Sequence, residues 1–184
     1  MSWAQRTLSV VPDIDPISAV VVRVSLPDAL ERLRRRHVSG AAQGVPAHVT
    51  LLVPFMPAGL LATSVRGVLG EIARQSEPFE VCFAGVGRFP GIVYLEPEPA
   101  APFAALTTAI AERFPDFQPY GGKYRVVIPH LTVAEGDDRS LGRRVAEAAA
   151  SPAFTRPVDA IEVLAQRPDG RWHQRWRIPI GFRP

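Results

Sequence analysis

The chain has 184 residues, of which 47% are hydrophobic and 21% are charged, a balance that excludes a disordered chain. Its formal net charge of +3 is well short of that of a protein that coats nucleic acid. A single cysteine, Cys82, excludes an internal disulfide, and no apolar run is long enough to cross a bilayer. The N-terminal residues lack the basic start and long apolar core of a signal peptide, so we expect a cytoplasmic protein that does not bind membranes.

The first half of the chain alternates between strand and helix patterns after a loose arm at residues 1–16. The helix pattern at 27–36 begins with a proline and an acidic residue and ends in arginines, as helices commonly do. Pro90 and Gly91 form a turn signal between the last two strand patterns. The predicted elements are a strand at 17–25, a helix at 27–36, a strand at 48–53, a helix at 60–75 and strands at 79–89 and 92–97.

The second half repeats this order. Its predicted elements are a helix at 102–114, a loop at 115–125, a strand at 130–135, a helix at 139–150 and strands at 158–166 and 172–180. Both halves contain a strand that begins with His-x-Thr, and the two motifs lie 82 residues apart. The repeat predicts an α+β fold made by internal duplication, with two lobes in a single domain over residues 1–184. We expect lobe one at about 17–90 and lobe two at about 91–180, with two antiparallel sheets facing a central groove and helices on the outside.

The two His-x-Thr strands carry polar residues in otherwise apolar runs. Because side chains alternate along a strand, His48, Thr50 and Leu52 are predicted on one face, and Val49, Leu51 and Val53 on the other. The second strand repeats the pattern, with its histidine and threonine on one face and two apolar residues on the other. A single His-x-Thr would be uninformative, whereas the duplicated motif within a duplicated order indicates a divided site.

Two imidazoles that face each other suit acid–base chemistry, since near neutral pH one can be a neutral base and the other a charged acid. Such a pair fits attack on a phosphodiester, in which His48 and His130 would exchange protons with the attacking and leaving oxygens. The hydroxyls of Thr50 and Thr132 can donate hydrogen bonds to the phosphate oxygens, where negative charge develops. This chemistry requires no metal and no cofactor.

The motifs HVTL at 48–51 and HLTV at 130–133 resemble the paired H-x-T-x motifs of the 2H phosphoesterase superfamily, and in particular the 2′-5′ RNA ligase family. The surrounding segments PAHVTLLVPF and YGGKYRVVIPHLTVAEG are also similar, and the duplicated order covers about residues 17–180. The resemblance implies a bilobal α+β fold and cleavage of 2′,3′-cyclic phosphates or 2′-5′-linked RNA ends and nucleotides, with reversible ligation. It also implies that His48 and His130 are the acid–base pair, without fixing which is the acid, and that the two threonines bind phosphate.

Three further residues are candidates for substrate binding. Tyr94, on a central strand, could stack on a base or equally lie in the core. Lys123 and Arg125 follow two glycines just before the second motif and could form a mobile basic flap or a solvated loop. On the last strand, alternation predicts Trp172, Gln174 and Trp176 on one face and arginines on the other, either solvated or guiding RNA.

Two other functions remain open at this point. In a metal site, the two histidines would be joined by Glu96 or Glu135, although no H-x-H, H-E-x-x-H or C-x-x-C spacing supports it. A module that binds nucleotides or RNA without turnover would use the same residues as the enzyme. The sequence therefore favours a monomeric, metal-independent phosphodiesterase whose partners are RNA ends or small cyclic nucleotides.

Overall fold

The computed structural model describes residues 16–149 and 154–181, so nearly all of the predicted N-terminal arm lies outside the described residues. Among the described helices, none is long and apolar enough to cross a membrane. The strands are β1 (Ser18–Arg23), β2 (His48–Leu52), β3 (Phe79–Phe89), β4 (Ile92–Glu98), β5 (Leu131–Glu135), β6 (Phe154–Val158), β7 (Ala160–Gln166) and β8 (Trp172–Pro179). The helices are α1 (Asp28–His37), α2 (Ser39–Ala42), α3 (Thr63–Gln75), α4 (Ala101–Arg113) and α5 (Ser140–Ala149), with 3-10 turns at Ala58–Leu60 and Pro119–Gly122.

Local sequence signals account for most of these elements. Pro27 precedes α1, acidic residues occupy its first turn and four basic residues its last, which suits the helix dipole. β3 and β4 form an antiparallel hairpin, and Gly91 in the turn has a φ of +72° that favours glycine. The sequence did not predict α2 or β6. Because β6 contains Pro157, it fits only at the sheet edge, where it pairs with β3 alone.

The eight strands form one antiparallel sheet in the order β6-β3-β4-β5-β2-β1-β7-β8. The mixed α and β composition is thus confirmed, but the two predicted sheets are a single one. They are joined because β2 pairs directly with β5, where Val49 lies opposite Leu131. This pairing satisfies backbone groups that two separate sheets would leave at their edges.

Each half of the sheet takes strands from both halves of the chain. β3 and β4 pair with β6 and β5, which come later in the sequence. β1 pairs with β7, which in turn pairs with β8. Four strands therefore lie on each side of the β5–β2 contact, and both motif strands lie at the centre.

The helices pack against one face of the sheet. Val49 and Leu51 of β2 and Leu131 and Val133 of β5 are fully buried in the main core on this face. The same core contains residues from four helices, including Leu30, Leu69, Phe103 and Leu141. His48, Thr50, His130 and Thr132 alternate with these apolar residues and so lie on the opposite face, which we call the open face.

At two β-bulges, side chains lie on the face of the sheet opposite to the one predicted. The register between β1 and β2 shifts between Val20 and Val21, and Leu52 joins the main core while Val53 packs on the opposite face. Both had been predicted on the other side. On β8, the register shifts opposite Val163 and Leu164, so Trp176 packs on the main core while Trp172 packs on the opposite cluster. Bulges reverse the alternation from which these faces were predicted.

Candidate functional site

The two motifs lie side by side on the open face. Since Val49 lies opposite Leu131, antiparallel register sets His48 next to Thr132 and Thr50 next to His130. Side chains opposite each other on neighbouring strands have Cβ atoms about 5 Å apart, and diagonal pairs such as His48 and His130 are about 7–8 Å apart, within reach of aromatic side chains. The charge of His130 also acts on His48. The structure therefore brings together the four residues that the sequence predicted as catalytic.

Each imidazole is held in the same way by the backbone before it. His48 Nδ1 lies 2.7 Å from the Pro46 carbonyl oxygen, and His130 Nδ1 lies 2.7 Å from that of Ile128. A carbonyl only accepts hydrogen bonds, so Nδ1 must carry the proton in both rings. Nε2 is thereby left in each ring to take or give a proton. In the His48 ring, Nε2 lies 3.1 Å from Thr50 Oγ1, whose hydroxyl donates to it.

Burial favours the neutral form of both imidazoles. Burial lowers the pKa of His48 to about 4, against a hydrogen bond to Pro46 that raises it, and the charges of Arg34 and His130 lower it further. Burial also lowers the pKa of His130. Because burial disfavours the charged form of each imidazole, either one gains a proton more readily when an anion is bound next to it.

The low pKa of His48 predicts a pH-dependent stability. The unfolded chain binds a proton at His48 near pH 6.5, whereas the folded imidazole binds it near pH 4. Acidification through this window favours unfolding, by at most about 3 kcal/mol. We expect the Tm of the wild type to fall more between pH 7 and pH 4 than that of His48→Gln, measured by thermal melts. An equal fall in both proteins would show that His48 is not buried in its neutral form.

Tyr94 forms a wall beside His130. Its side chain is 6% exposed, and its ring centroid lies 5.3 Å from that of His130. Phe89, which the sequence analysis did not single out, contacts both rings, at 4.4 Å from Tyr94 and 5.1 Å from His130. Tyr94 fits here because Gly87 lies opposite it on β3, where a Cβ atom would approach the ring to 2.2 Å. Tyr94 thus belongs both to the site and to the packing.

The predicted basic flap docks on β2 through a tyrosine. The backbone N–H of Tyr120 donates to the Val53 carbonyl at 2.6 Å, and its phenol interacts with the Thr50 hydroxyl. Burial raises the pKa of this phenol, while the contact with Thr50 lowers it. Tyr120 has a φ of +53°, which is uncommon for a residue other than glycine and marks a constrained position. Sequence reasoning missed Tyr120, although a tyrosine before two glycines in this loop was a usable signal.

The two basic residues of the flap are exposed. The Lys123 ammonium lies 5.5 Å from the centre of the Tyr124 ring, a cation–π geometry. Arg125 lines a recess between α4 and residues 115–127. In the described part of the chain, no hydrogen bond joins Lys123 or Arg125 to either motif.

The two carboxylates considered for a metal site have different surroundings in the fold. Glu135 accepts a hydrogen bond from the backbone N–H of Ser39 at 3.0 Å. Glu96 lies on β4 opposite Gly85, where it is exposed. Over residues 16–149 and 154–181, no three side chains of His, Cys, Asp or Glu converge as a metal site would require.

Comparisons with known proteins agree with this geometry. The model of the family described as "2'-5' RNA ligase superfamily" matches residues 22–170, which include both motifs. A protein of Bacillus thuringiensis (strain Al Hakam) named "Putative phosphoesterase" is 28% identical over 165 residues, covering 84% of this chain and 91% of that protein. The protein of the same name from Bacillus cereus (strain Q1) gives the same values.

Solved structures share the fold at lower sequence identity. TT0787 of Thermus thermophilus has a TM-score of 0.56 at 18% identity, covering 91% of this chain and 100% of that chain. Escherichia coli LigT complexed with 3′-AMP has a TM-score of 0.53 at 16% identity, covering 90% of this chain and 98% of that chain. At these identities the similarity concerns the arrangement of helices and strands.

Proposed function

Because the chain belongs to the 2′-5′ RNA ligase superfamily, we propose that it is a metal-independent phosphodiesterase that acts on 2′,3′-cyclic phosphates or on 2′-5′-linked RNA ends and nucleotides. The observation that carries the proposal is the pairing of β2 with β5 at Val49 and Leu131. Beside that pair, His48 and His130 each keep Nε2 available on the same face. Two such nitrogens can act on opposite sides of one phosphorus.

In this mechanism one neutral imidazole takes a proton from the attacking water or hydroxyl as the attacking oxygen bonds to phosphorus. The other imidazole, in its protonated form, gives its proton to the ribose oxygen as the bond from that oxygen to phosphorus breaks. This imidazole takes its proton from solvent when the substrate binds, because a bound phosphate raises the pKa of the imidazole beside it. Ligation of 2′-5′ ends is the same displacement in reverse, with the roles of His48 and His130 exchanged.

The remaining site residues bind and orient the phosphate and the nucleoside. When the phosphate binds, the Thr50 hydroxyl turns its proton from His48 Nε2 to a phosphate oxygen, and Thr132 donates a second hydrogen bond to the phosphate. Tyr94 packs against His130 and limits how its ring can turn. Lys123 and Arg125 are exposed cations on the loop that Tyr120 anchors, so they attract the anionic substrate toward the site.

The proposal is tested with a nucleoside 2′,3′-cyclic phosphate in the presence and absence of EDTA. Ring opening gives a nucleoside monophosphate, and E. coli LigT, which has the same fold, was crystallised with 3′-AMP, which supports this choice of substrate. We expect turnover at the same rate with and without the chelator. Loss of activity on chelation would contradict the metal-free mechanism. Binding of the cyclic phosphate with no turnover would instead indicate a nucleotide-binding module.

A further inference from the structure

We propose that Arg23 binds a second phosphate of the substrate, the phosphodiester next to the phosphate held by His48 and His130. The inference rests on the proposed function, because it takes the histidine pair as the site of the first phosphate. It narrows the substrate class to chains of at least two nucleotides, in preference to a single nucleoside cyclic phosphate.

Arg23 lies directly beside His48 on the open face. In the pairing of β1 with β2, Arg23 is opposite His48, while its neighbour Val22 points into the main core. The strand order β5, β2, β1 and the register of the strands therefore set Thr132, His48 and Arg23 in a row across the sheet, with His130 diagonal to His48. Neighbouring strands are about 4.8 Å apart, so the guanidinium can reach an anionic group one step beyond the first phosphate.

A recess of about 410 Å³ opens next to this position. It is lined by Arg23, by Glu31, Arg34 and Arg35 of α1, and by the segment that ends at Pro46, whose carbonyl accepts the Nδ1 proton of His48. The recess therefore borders the backbone segment that holds the His48 imidazole in place. It is large enough to admit a phosphate group together with part of a nucleoside.

Arg23 differs from the other arginines of the recess because it keeps its hydrogen-bonding capacity. Arg34 is 3% exposed and donates to the Val45 carbonyl at 2.6 Å. Arg35 pairs with Glu31 at 2.9 Å. Among the described residues no hydrogen bond or ion pair includes the guanidinium of Arg23, although this side chain is exposed. A planar guanidinium without a partner is suited to bidentate binding of a phosphate.

Two acidic residues lie on the sides of Arg23, and Glu31, which lines the same recess, is already paired with Arg35. Glu162 gives Arg23 a competing structural explanation. Glu162 is 5% exposed on β7 opposite Val21, and its carboxylate interacts with the charges of Arg23 and Arg177. Arg177 is already paired with Asp159 at 2.7 Å. No ion pair joins Glu162 to Arg23 in the part of the chain that the structure describes, so Glu162 attracts the guanidinium without occupying it.

The test compares two ligands by calorimetry: a nucleoside 3′-phosphate and a dinucleotide with a terminal 3′-phosphate. We expect the wild type to bind the dinucleotide about tenfold more tightly, since one charge-assisted contact is of that size. Arg23→Ala should remove most of this preference. It should also reduce the slope of log affinity against log salt for the dinucleotide by about 0.7, the contribution of one phosphate contact on a single strand.

Arg66→Ala is the matched control, because it removes the same charge from an exposed position on α3. This variant should keep both the preference and the salt slope, and Arg23→Lys should keep most of the slope. An equal preference in the wild type and Arg23→Ala would overturn the subsite. A lower Tm of Arg23→Ala with an unchanged preference would also overturn the subsite, because Arg23 would then serve only to stabilise the buried Glu162. Failure of the wild type to bind either ligand would overturn the proposed function as well.

Discussion

Replacing His48 or His130 by alanine is expected to lower kcat on a nucleoside 2′,3′-cyclic phosphate by about 10²- to 10⁴-fold, the usual contribution of one general acid or base. Each imidazole is held by a carbonyl through Nδ1, so each variant loses a positioned Nε2, together with the packing of His130 on Tyr94 or the contact of His48 with Thr50. The measurement is steady-state turnover, with circular dichroism to confirm that the variants fold.

The double variant separates a catalytic pair from two independent residues. If the imidazoles act on the same phosphate, removing both should cost little more than removing the more important one, because residues that act as a unit are not additive. His173→Ala is the control, since His173 lies on β8, at the sheet edge and outside the site. Turnover within twofold of the wild type in either single variant would contradict the assignment of that histidine.

Replacing Thr50 or Thr132 by valine is expected to lower kcat by about 10²- to 10³-fold, as does the loss of one hydrogen-bond donor to a developing negative charge. Valine keeps the branched shape and removes only the hydroxyl. The effect should be larger at Thr50, whose hydroxyl also contacts His48 and Tyr120. The serine variants should recover most of the activity, because serine restores the donor.

Thr155→Val is the matched control for both threonine variants. Thr155 is an exposed threonine on the edge strand β6, so the same substitution occurs in a strand far from the motifs. It should leave kcat unchanged. If valine and serine lower kcat equally at position 50 or 132, then shape and not hydrogen bonding would be responsible, and the threonines would not be phosphate ligands.

The central features of the site were predictable because they depend on local periodicity. A period of two assigns His48 and Thr50 to the face opposite Val49, whatever the strand pairs with. The duplicated motif then predicted a partner for this face at His130. The boundaries of β3 were also predicted correctly, since apolar alternation ends at a clear Pro-Gly turn.

Features that depend on distant contacts were not predictable from the sequence. The β-bulge that places Leu52 and Val53 on the faces opposite to those predicted arises where β2 pairs with β1. The alternation within a single strand does not reveal that pairing. The contact of Tyr120 with Thr50 crosses a long stretch of the chain and depends on how the loop docks. The merging of two expected sheets into one required β2 and β5 to pair, which a repeat in sequence order does not reveal.

Arg23 belongs to the same class of features. In the sequence it is one of twenty arginines at the end of a β-branched run. Its significance comes from the register that sets it opposite His48 and from the ion pairs that occupy its neighbours. Composition showed that guanidinium groups are abundant, whereas only the fold shows which of them lies beside His48.

The central claim is that His48 and His130 hold one phosphate between them. The most direct measurement is a crystal structure of the protein with a bound nucleoside 3′-phosphate. We predict that the phosphate lies within hydrogen-bonding distance of Nε2 of both imidazoles and of the hydroxyls of Thr50 and Thr132. A phosphate that contacts only one motif, or that lies in the recess beside α4 instead, would contradict the account.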